Sequence, residues 1–206
     1  NKSNWFNFKL PKGNLYEGSL KMMDASSENK ILLKFLKLCD KSRRLKIRTN
    51  ADTPEDSKRA RMYGAEGIGL FRIEHMFYGK GSDKALFLLR KMTVSKTVEE
   101  RIDALKELFP FMKADIKGTL RKMKGFPVTI RLIDPPLHEF VPREQKQQEN
   151  LAKSLKIDLS EFQKRANSLH ENNPMMGHRG VRLGVTYPEI TETQVRAILE
   201  ATAELL

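Results

Sequence analysis

Apolar and polar residues follow a helical spacing over two long parts of the chain, 27–44 and 98–124. In both, apolar side chains recur every three or four positions, which predicts helices with one apolar side. The longer stretch contains Pro110, and we expect this residue to kink or split the helix. The same spacing predicts further helices near 144–155, near 159–171 and from about Thr191.

Three short runs rich in β-branched and aromatic residues predict β-strands. These runs are LKIRTN at 45–50, GIGLF at 67–71 and FPVTIRLID at 126–134. A helix is predicted between the first two, because Thr53 is a favourable N-cap and Pro54 suits the first turn, while Gly64 or Gly67 can end the helix. Alternating strands and helices are typical of α/β proteins with a parallel sheet.

The start of the chain follows a different pattern. Aromatic residues alternate with polar ones around Pro-Lys-Gly, which predicts a short β-hairpin. We therefore divide the chain into a hairpin at 1–20, a helical linker at 21–44 and an α/β region at 45–206. The strands suit the start of a (β/α)₈ TIM barrel, which needs eight strands in all. Because the first residue is Asn and the last residues have a helical pattern, we expect a partial barrel, with only the first strands and helices, truncated from a larger protein.

Composition narrows the classes of function. The net charge of +12 permits a polyanionic partner, but the basic residues are dispersed and no zinc-finger, RNA-binding or basic-zipper pattern occurs. We therefore expect no nucleic-acid partner. No apolar run approaches the roughly 18 residues that span a bilayer, so we expect no membrane partner. The single cysteine, Cys39, fits a reducing compartment.

Charged residues follow each predicted strand, where the active sites of parallel α/β proteins form. Arg72 and Arg131 end two predicted neighbouring strands, and Arg179 lies between glycines in GHRG. Planar guanidinium groups bind phosphate and carboxylate oxygens in pairs, so all three arginines are candidates to bind an anionic substrate. On spacing alone, another interpretation stays open, in which these arginines form ion pairs that only fasten loops together. The carboxylates considered for such pairs are Glu74, Asp134 and Glu139.

A metal site is not favoured by the sequence. Glu74, Asp134, His75, His138 and His178 are suitable residue types, but no two of the histidines have the close helical spacing of metal ligands. The histidines are more typical of hydrogen-bond partners that orient loops. Neither a Walker A loop nor a G-x-G-x-x-G motif is present. We therefore assign no metal ligand and no catalytic residue within this chain.

Three segments carry a resemblance to a known family. NADTPEDSKRARMYGAEGIGLFRIEHMF, VTIRLIDPPLHEFVP and NPMMGHRGVRLGVTYPEITETQVRAI resemble the pyruvate, phosphate dikinase family of phosphoenolpyruvate (PEP)-utilising enzymes. The resemblance extends over about 45–206, and residues 4–20 look like the end of that family's swivelling phosphohistidine domain. It implies a TIM barrel that binds PEP or pyruvate, with Arg72, Arg131 and Arg179 holding the transferring phosphoryl group and stabilising the enolate oxygen.

The resemblance also implies what the larger protein does. That protein interconverts ATP, phosphate and pyruvate with AMP, diphosphate and PEP, using Mg²⁺ and, as a candidate, a monovalent cation, and it is a homodimer. The resemblance implies that the Mg²⁺ ligands and a cysteine general acid lie beyond Leu206, and that ATP binds to a domain absent from this chain. Cys39 does not match that cysteine. LFRIEH replaces the family's usual LCRTEH, so Phe71 and Ile73 are departures from the pattern.

These expectations lead to one preferred function and several alternatives. We expect part of a phosphotransferase that moves a phosphoryl group between phosphohistidine and pyruvate, inactive when separated from the rest. The alternatives are a non-catalytic truncated paralogue that acts as a binding or structural module, a relative of PEP synthase or the sugar-phosphotransferase enzyme I, and a basic polyanion-binding protein. We expect a cytoplasmic location, with an organelle left open because the natural start is missing.

Overall fold

The computed structural model describes residues 6–9, 14–17, 29–79 and 81–206. The strands are β1 Phe6–Lys9, β2 Asn14–Glu17, β3 Thr49–Asn50, β4 Ile68–Arg72 and β5 Val128–Arg131. The helices are α1 Lys30–Ser42, α2 Pro54–Met62, α3 Asp83–Thr93, α4 Val98–Lys122, α5 Gln145–Leu155, α6 Leu159–Ser168, α7 Gly180–Thr186 and α8 Pro188–Ala203. Two 3₁₀ segments, Ile73–Tyr78 and Leu137–Phe140, follow β4 and β5. No helix within these ranges is both long enough and apolar enough to cross a membrane.

The chain divides into two compact units, 1–44 and 45–206. In the first, β1 and β2 pair in antiparallel fashion, which confirms the predicted hairpin. The predicted Pro-Lys-Gly turn at 11–13 and the linker before Asn29 lie outside the described residues. Helix α1 begins where Asn29 Oδ1 accepts hydrogen bonds from the backbone N–H groups of Ile31 and Leu32 at 3.0 and 3.1 Å. The domain identities assigned to 1–20, 21–44 and 45–206 stay predictions.

The second unit contains a parallel three-stranded sheet in the order β3-β4-β5. This confirms a parallel α/β arrangement, although β3 and β5 are shorter than predicted and most of the unit is helical. Gly67 allows β4 and β5 to approach closely. Its φ is +155°, and a Cβ at this position would lie 2.8 Å from the carbonyl oxygen of Pro127. The backbone N–H of Ile68 donates to the same carbonyl at 2.8 Å, which fixes the register from which both strands run to their charged ends.

The core of this unit lies between β4, α3, α4 and α8. Helix α4 contributes a buried stripe that includes Leu108, Met112 and Ile116. The helix runs unbroken from Val98 to Lys122, so Pro110 does not split it, and the alternative expectation of a kink stays a prediction. Proline removes one backbone donor from the helix, and burial of the apolar stripe on both sides of it outweighs that loss.

Two helices were not predicted from the sequence. The α3 segment begins after Ser82, a residue type that suits an N-cap, but the Ser82 hydroxyl donates to the carbonyl of Met76 at 2.9 Å and caps no helical N–H. The α7 segment has only seven residues, two of them glycine, and forms around the buried side chain of Leu183. Helix α8 begins at Pro188 rather than near Thr191, because proline fits the first position of a helix.

Candidate functional site

Strands β4 and β5 end side by side on a pair of arginines. Arg72 and Arg131 are register partners in the parallel sheet, as their predicted positions on neighbouring strands require. Both line a cavity of about 360 Å³ at the carboxyl ends of the strands, and Arg179, from the loop before α7, lines it as well. The three predicted arginines therefore meet in one place, the arginine cavity. The other lining residues are Glu74, His75, Tyr78, Asp134, Pro135, Glu139 and Phe140.

Arg72 is fixed by Asp52, which follows β3. The backbone N–H of Arg72 donates to Asp52 Oδ1 at 2.7 Å, and its Nη1 donates to Oδ2 at 3.1 Å. The Nδ1 atom of His75 lies 2.8 Å from the same Oδ2. One carboxylate thus orients the last residue of β4 and an imidazole in the 3₁₀ turn that follows.

Arg131 lies between two carboxylates. Its Nη2 donates to Oε1 of Glu74, and its Nη1 lies 3.4 Å from Oδ2 of Asp134. The Glu74 residue is 3% exposed, and within the described part of the chain its Oε2 has no hydrogen-bond partner. A buried carboxylate beside a guanidinium holds that cation in one orientation, since any other position leaves the negative charge without a partner.

Asp134 also connects β5 to the loop before α7. Its Oδ2 accepts from Nη2 of Arg179, and its backbone carbonyl accepts from the N–H of Gly180 at 3.2 Å. Gly180 has a φ of +55°, and a Cβ there would lie 3.3 Å from Asp134 Oδ1. The residue after Arg179 is therefore glycine because the backbone is left-handed and close to the carboxylate.

The ion pairs agree in part with the alternative interpretation from the sequence. Glu74 and Asp134 do pair with two of the three arginines. Glu139 lines the cavity, but no ion pair joins it to any of the three in the described ranges. The pairs and the cavity are compatible, because a guanidinium has five donors and one carboxylate occupies only some of them. The arrangement is chemically suited to an anion with several oxygens.

Tyr78 closes one side of the cavity. Burial raises the pKa of its hydroxyl; Arg90 opposes this shift, and the charges of Glu139 and Glu74 add to it. The phenol therefore stays protonated at neutral pH and presents a hydrogen-bond donor beside the arginines.

Three residues that build this site were not predicted from the sequence. Asp52 lies two positions after the end of β3, so the rule that selected Arg72 also applies to it. Tyr78 lies in a 3₁₀ turn that periodicity does not reveal. Gln194 of α8 is 2% exposed, and its Oε1 accepts from the N–H of Ile133 at 2.7 Å, which holds the segment between Arg131 and Asp134. Gln194 is 61 residues from Ile133 along the chain, and no local sequence signal indicates that the two residues are in contact.

The remaining candidates do not form a metal centre. The rings of His138 and His170 lie 5.6 Å apart, while Nε2 of His178 lies 2.8 Å from the hydroxyl of Thr186. Among the described residues no group of three histidine, cysteine, aspartate or glutamate side chains is arranged to hold a metal ion. Phe71 and Ile73, the two departures from the family pattern, are both buried in the core next to Arg72.

Comparison with known proteins identifies the relatives of this chain. The family described as "PEP-utilising enzyme, PEP-binding domain" matches residues 26–205. Pyruvate, phosphate dikinase of Clostridium symbiosum is 48% identical over 94% of this chain and 22% of the relative. The protein of the same name from Giardia intestinalis is 47% identical over 92% of this chain and 21% of the relative. Pyruvate, phosphate dikinase 1, chloroplastic, of Arabidopsis thaliana is 49% identical over 83% of this chain and 18% of the relative. The chain spans about a fifth of the length of these relatives.

Proposed function

The chain belongs to the PEP-utilising enzyme family, within its PEP-binding domain, and on this premise we propose that the arginine cavity binds PEP or pyruvate. The observation that carries the proposal is the meeting of three arginines from separate segments at the carboxyl ends of parallel strands. The ligand is a small acid with a carboxylate and, in PEP, a phosphoryl group. Paired guanidinium donors suit both groups. The mixed α/β unit is consistent with part of a TIM barrel, which is the fold that we propose for 45–206.

The proposed reaction is reversible phosphoryl transfer between a phosphohistidine and pyruvate. Towards PEP, C3 of pyruvate loses a proton, the N–P bond of the phosphohistidine breaks, and an O–P bond forms at the enolate oxygen. Arg72, Arg131 and Arg179 hold the phosphoryl oxygens and stabilise the negative charge that develops on the enolate. The cavity residues thus bind and orient the reacting groups, and the proton at C3 is moved by a residue outside the set proposed here.

For the whole protein we propose the overall dikinase reaction, in which ATP, phosphate and pyruvate are converted to AMP, diphosphate and PEP. The identities of 47–49% to three pyruvate, phosphate dikinases support this activity over that of PEP synthase or the sugar-phosphotransferase enzyme I. Mg²⁺ supplies charge neutralisation in such transfers. The cavity residues do not make a Mg²⁺ site by themselves, and no step is assigned to the metal. The ATP-binding domain, the homodimer and the cytoplasmic location stay predictions.

A conservative substitution tests the proposal. Arg131→Lys keeps a cation beside Glu74 but loses the planar guanidinium group. The substitution should therefore weaken ligand binding more than it lowers the stability of the fold. In the full-length polypeptide that carries these residues, we expect roughly a 10- to 100-fold weaker dissociation constant for PEP, measured by titration calorimetry. Pyruvate-dependent turnover should fall as well.

Arg121→Lys is the matched control, because Arg121 is an exposed residue in the last turn of α4 and lies outside the cavity. It should bind PEP as the wild type does. Equal affinity of the Arg131→Lys, Arg72→Lys and wild-type proteins would overturn the proposed site. A full-length protein that binds PEP normally but does not turn over pyruvate would instead support the non-catalytic alternative.

A further inference from the structure

The loop that carries Arg179 is fastened on both sides of His178. On one side, the backbone N–H of His178 donates to Oε1 of Glu171 at 2.8 Å. A Cβ at Gly177 would lie 2.6 Å from the carboxyl carbon of Glu171, so the loop passes directly over this carboxylate. The backbone around residue 178 is therefore restrained by one close approach and one hydrogen bond, both to Glu171.

On the other side, the ring of His178 is bound to the end of α7. The hydroxyl of Thr186 lies 2.8 Å from Nε2 of His178 and 3.1 Å from the carbonyl of Arg182. In either tautomer of the ring, one hydrogen bond joins the side chains of His178 and Thr186. This contact restrains the orientation of the ring and ties the residue before Arg179 to the end of α7.

Tyr187 joins the His178 ring to the base of α4. Its ring meets His178 edge-on, with centroids 5.6 Å apart at an interplanar angle of 63°. The guanidinium of Arg101 lies 4.1 Å from the centroid of the Tyr187 ring. Arg101 is 6% exposed and forms an ion pair with Glu189, so the cation on the tyrosine is itself immobilised. Both kinds of contact stabilise an aromatic ring in a defined plane.

We propose that Tyr187 is a positioning residue for Arg179. Nothing in the sequence marks Tyr187 as part of a site, and it does not line the arginine cavity. It acts on Arg179 through other residues. Arg101 immobilises the Tyr187 ring, and this ring restrains the ring of His178. His178 in turn fixes the backbone from which Arg179 extends to Asp134. The inference rests on the proposed function for its ligand, PEP. The ordering of the loop can be measured without a ligand.

A double-mutant cycle in the full-length polypeptide tests the proposal. Tyr187→Leu keeps an apolar side chain against the core but removes both ring faces, whereas Tyr187→Phe keeps both and is the matched control. We expect Tyr187→Leu to weaken PEP binding on the order of tenfold when Arg179 is present and by less than about twofold in the Arg179→Ala background. Tyr187→Phe should bind as the wild type does. Amide hydrogen exchange of 171–180 should quicken in Tyr187→Leu and not in Tyr187→Phe.

A second variant keeps the proposal testable if the Tyr187→Leu protein does not fold. His178→Ala removes a half-exposed ring and should give the same dependence on Arg179. Equal losses of affinity with and without Arg179, or unchanged exchange of the loop in both variants, would overturn the positioning role. If Arg179→Ala alone binds PEP normally, the proposed function fails for that arginine, and loop exchange in the two variants still decides whether Tyr187 orders the loop.

Discussion

Two groups of ion pairs in the second unit differ in the burial of their carboxylates. In the arginine cavity, the carboxylate of Glu74 is 4% exposed and faces Arg131. Between α4 and α8, by contrast, the side chains of Lys113, Lys117, Glu200 and Glu204 are between about a quarter and two fifths exposed and form an open ladder of ion pairs. Solvent weakens the coulombic attraction on both sides of each pair in the ladder, but at the Glu74 pair it reaches only Arg131, which is 38% exposed.

This contrast shows why the two regions respond differently to substitution. Water can solvate an exposed charge that loses its partner, whereas a buried charge stays without solvation and destabilises the fold. The cavity therefore needs Glu74 to keep Arg131 in place, while the ladder tolerates the loss of a member. Two substitutions test the comparison directly, and a third extends it to Asp115, a partly buried carboxylate outside both groups. They are taken from the largest expected effect to the smallest.

Arg131→Met should destabilise the protein by about 3 kcal/mol, because Glu74 then stays buried without a cation. Urea unfolding of the purified polypeptide measures this change. Adding Glu74→Gln should recover most of the loss, since the neutral amide removes the buried charge. The matched change in the ladder, Lys117→Met, should leave the unfolding midpoint close to that of the wild type. Similar midpoints for Arg131→Met and Lys117→Met would contradict the comparison.

Asp115→Asn should stabilise the protein at neutral pH. Burial, and then the charge of Glu55, raise the pKa of Asp115 above its ordinary value of 3.8. The folded protein thus holds this proton more tightly than the unfolded chain, so stability falls as pH rises through the raised pKa. The gain from asparagine should be present at pH 7 and disappear below pH 3.8, as followed by thermal unfolding across pH. Asp103→Asn, on the exposed side of the same helix, is the control and should produce no gain.

Glu204→Gln should have the smallest effect, confined to acidic solution. Hydrogen bonds from Lys117 and then Lys113 lower the pKa of Glu204 from 4.5 to about 2. The carboxylate therefore adds stability above pH 4.5, and this contribution is lost as pH falls from 4.5 towards 2. The difference between the wild type and Glu204→Gln should narrow over that interval. It should also shrink in 1 M salt, where the Debye length is about 3 Å; a salt-independent difference would argue against a solvated ladder.

The sequence predicts those parts of the fold that have strong local signals. Thr53 caps α2 as expected, with its Oγ1 accepting from the N–H of Asp56 at 3.1 Å. The apolar repeat predicts the full length of α4. The effect of Pro110 could not be predicted, because it depends on the packing of other elements against the helix. Helix α7 could not be predicted, since a seven-residue helix with two glycines forms only through its tertiary contacts.

For the site, the order of strands and charges was enough to bring Arg72 and Arg131 together. Their adjacency follows from parallel strands that end at the same edge. The burial of Glu74 could not be predicted, because exposed and buried glutamates look the same in a sequence. Tyr187 was also beyond prediction, since its contact with Arg101 joins residues far apart along the chain, and its contact with His178 depends on the turn between them.

The separation of these residues along the chain has a consequence for folding. Arg131 and Glu74 are 57 positions apart, and Arg179 and Asp134 are 45 apart. Contacts of this kind close long loops and form slowly compared with the turns of a helix. A collapsed chain with its helices already formed would still lack a three-arginine anion site. We therefore expect the capacity to bind PEP to appear at the last step of refolding, so that ligand binding would report complete assembly of the unit.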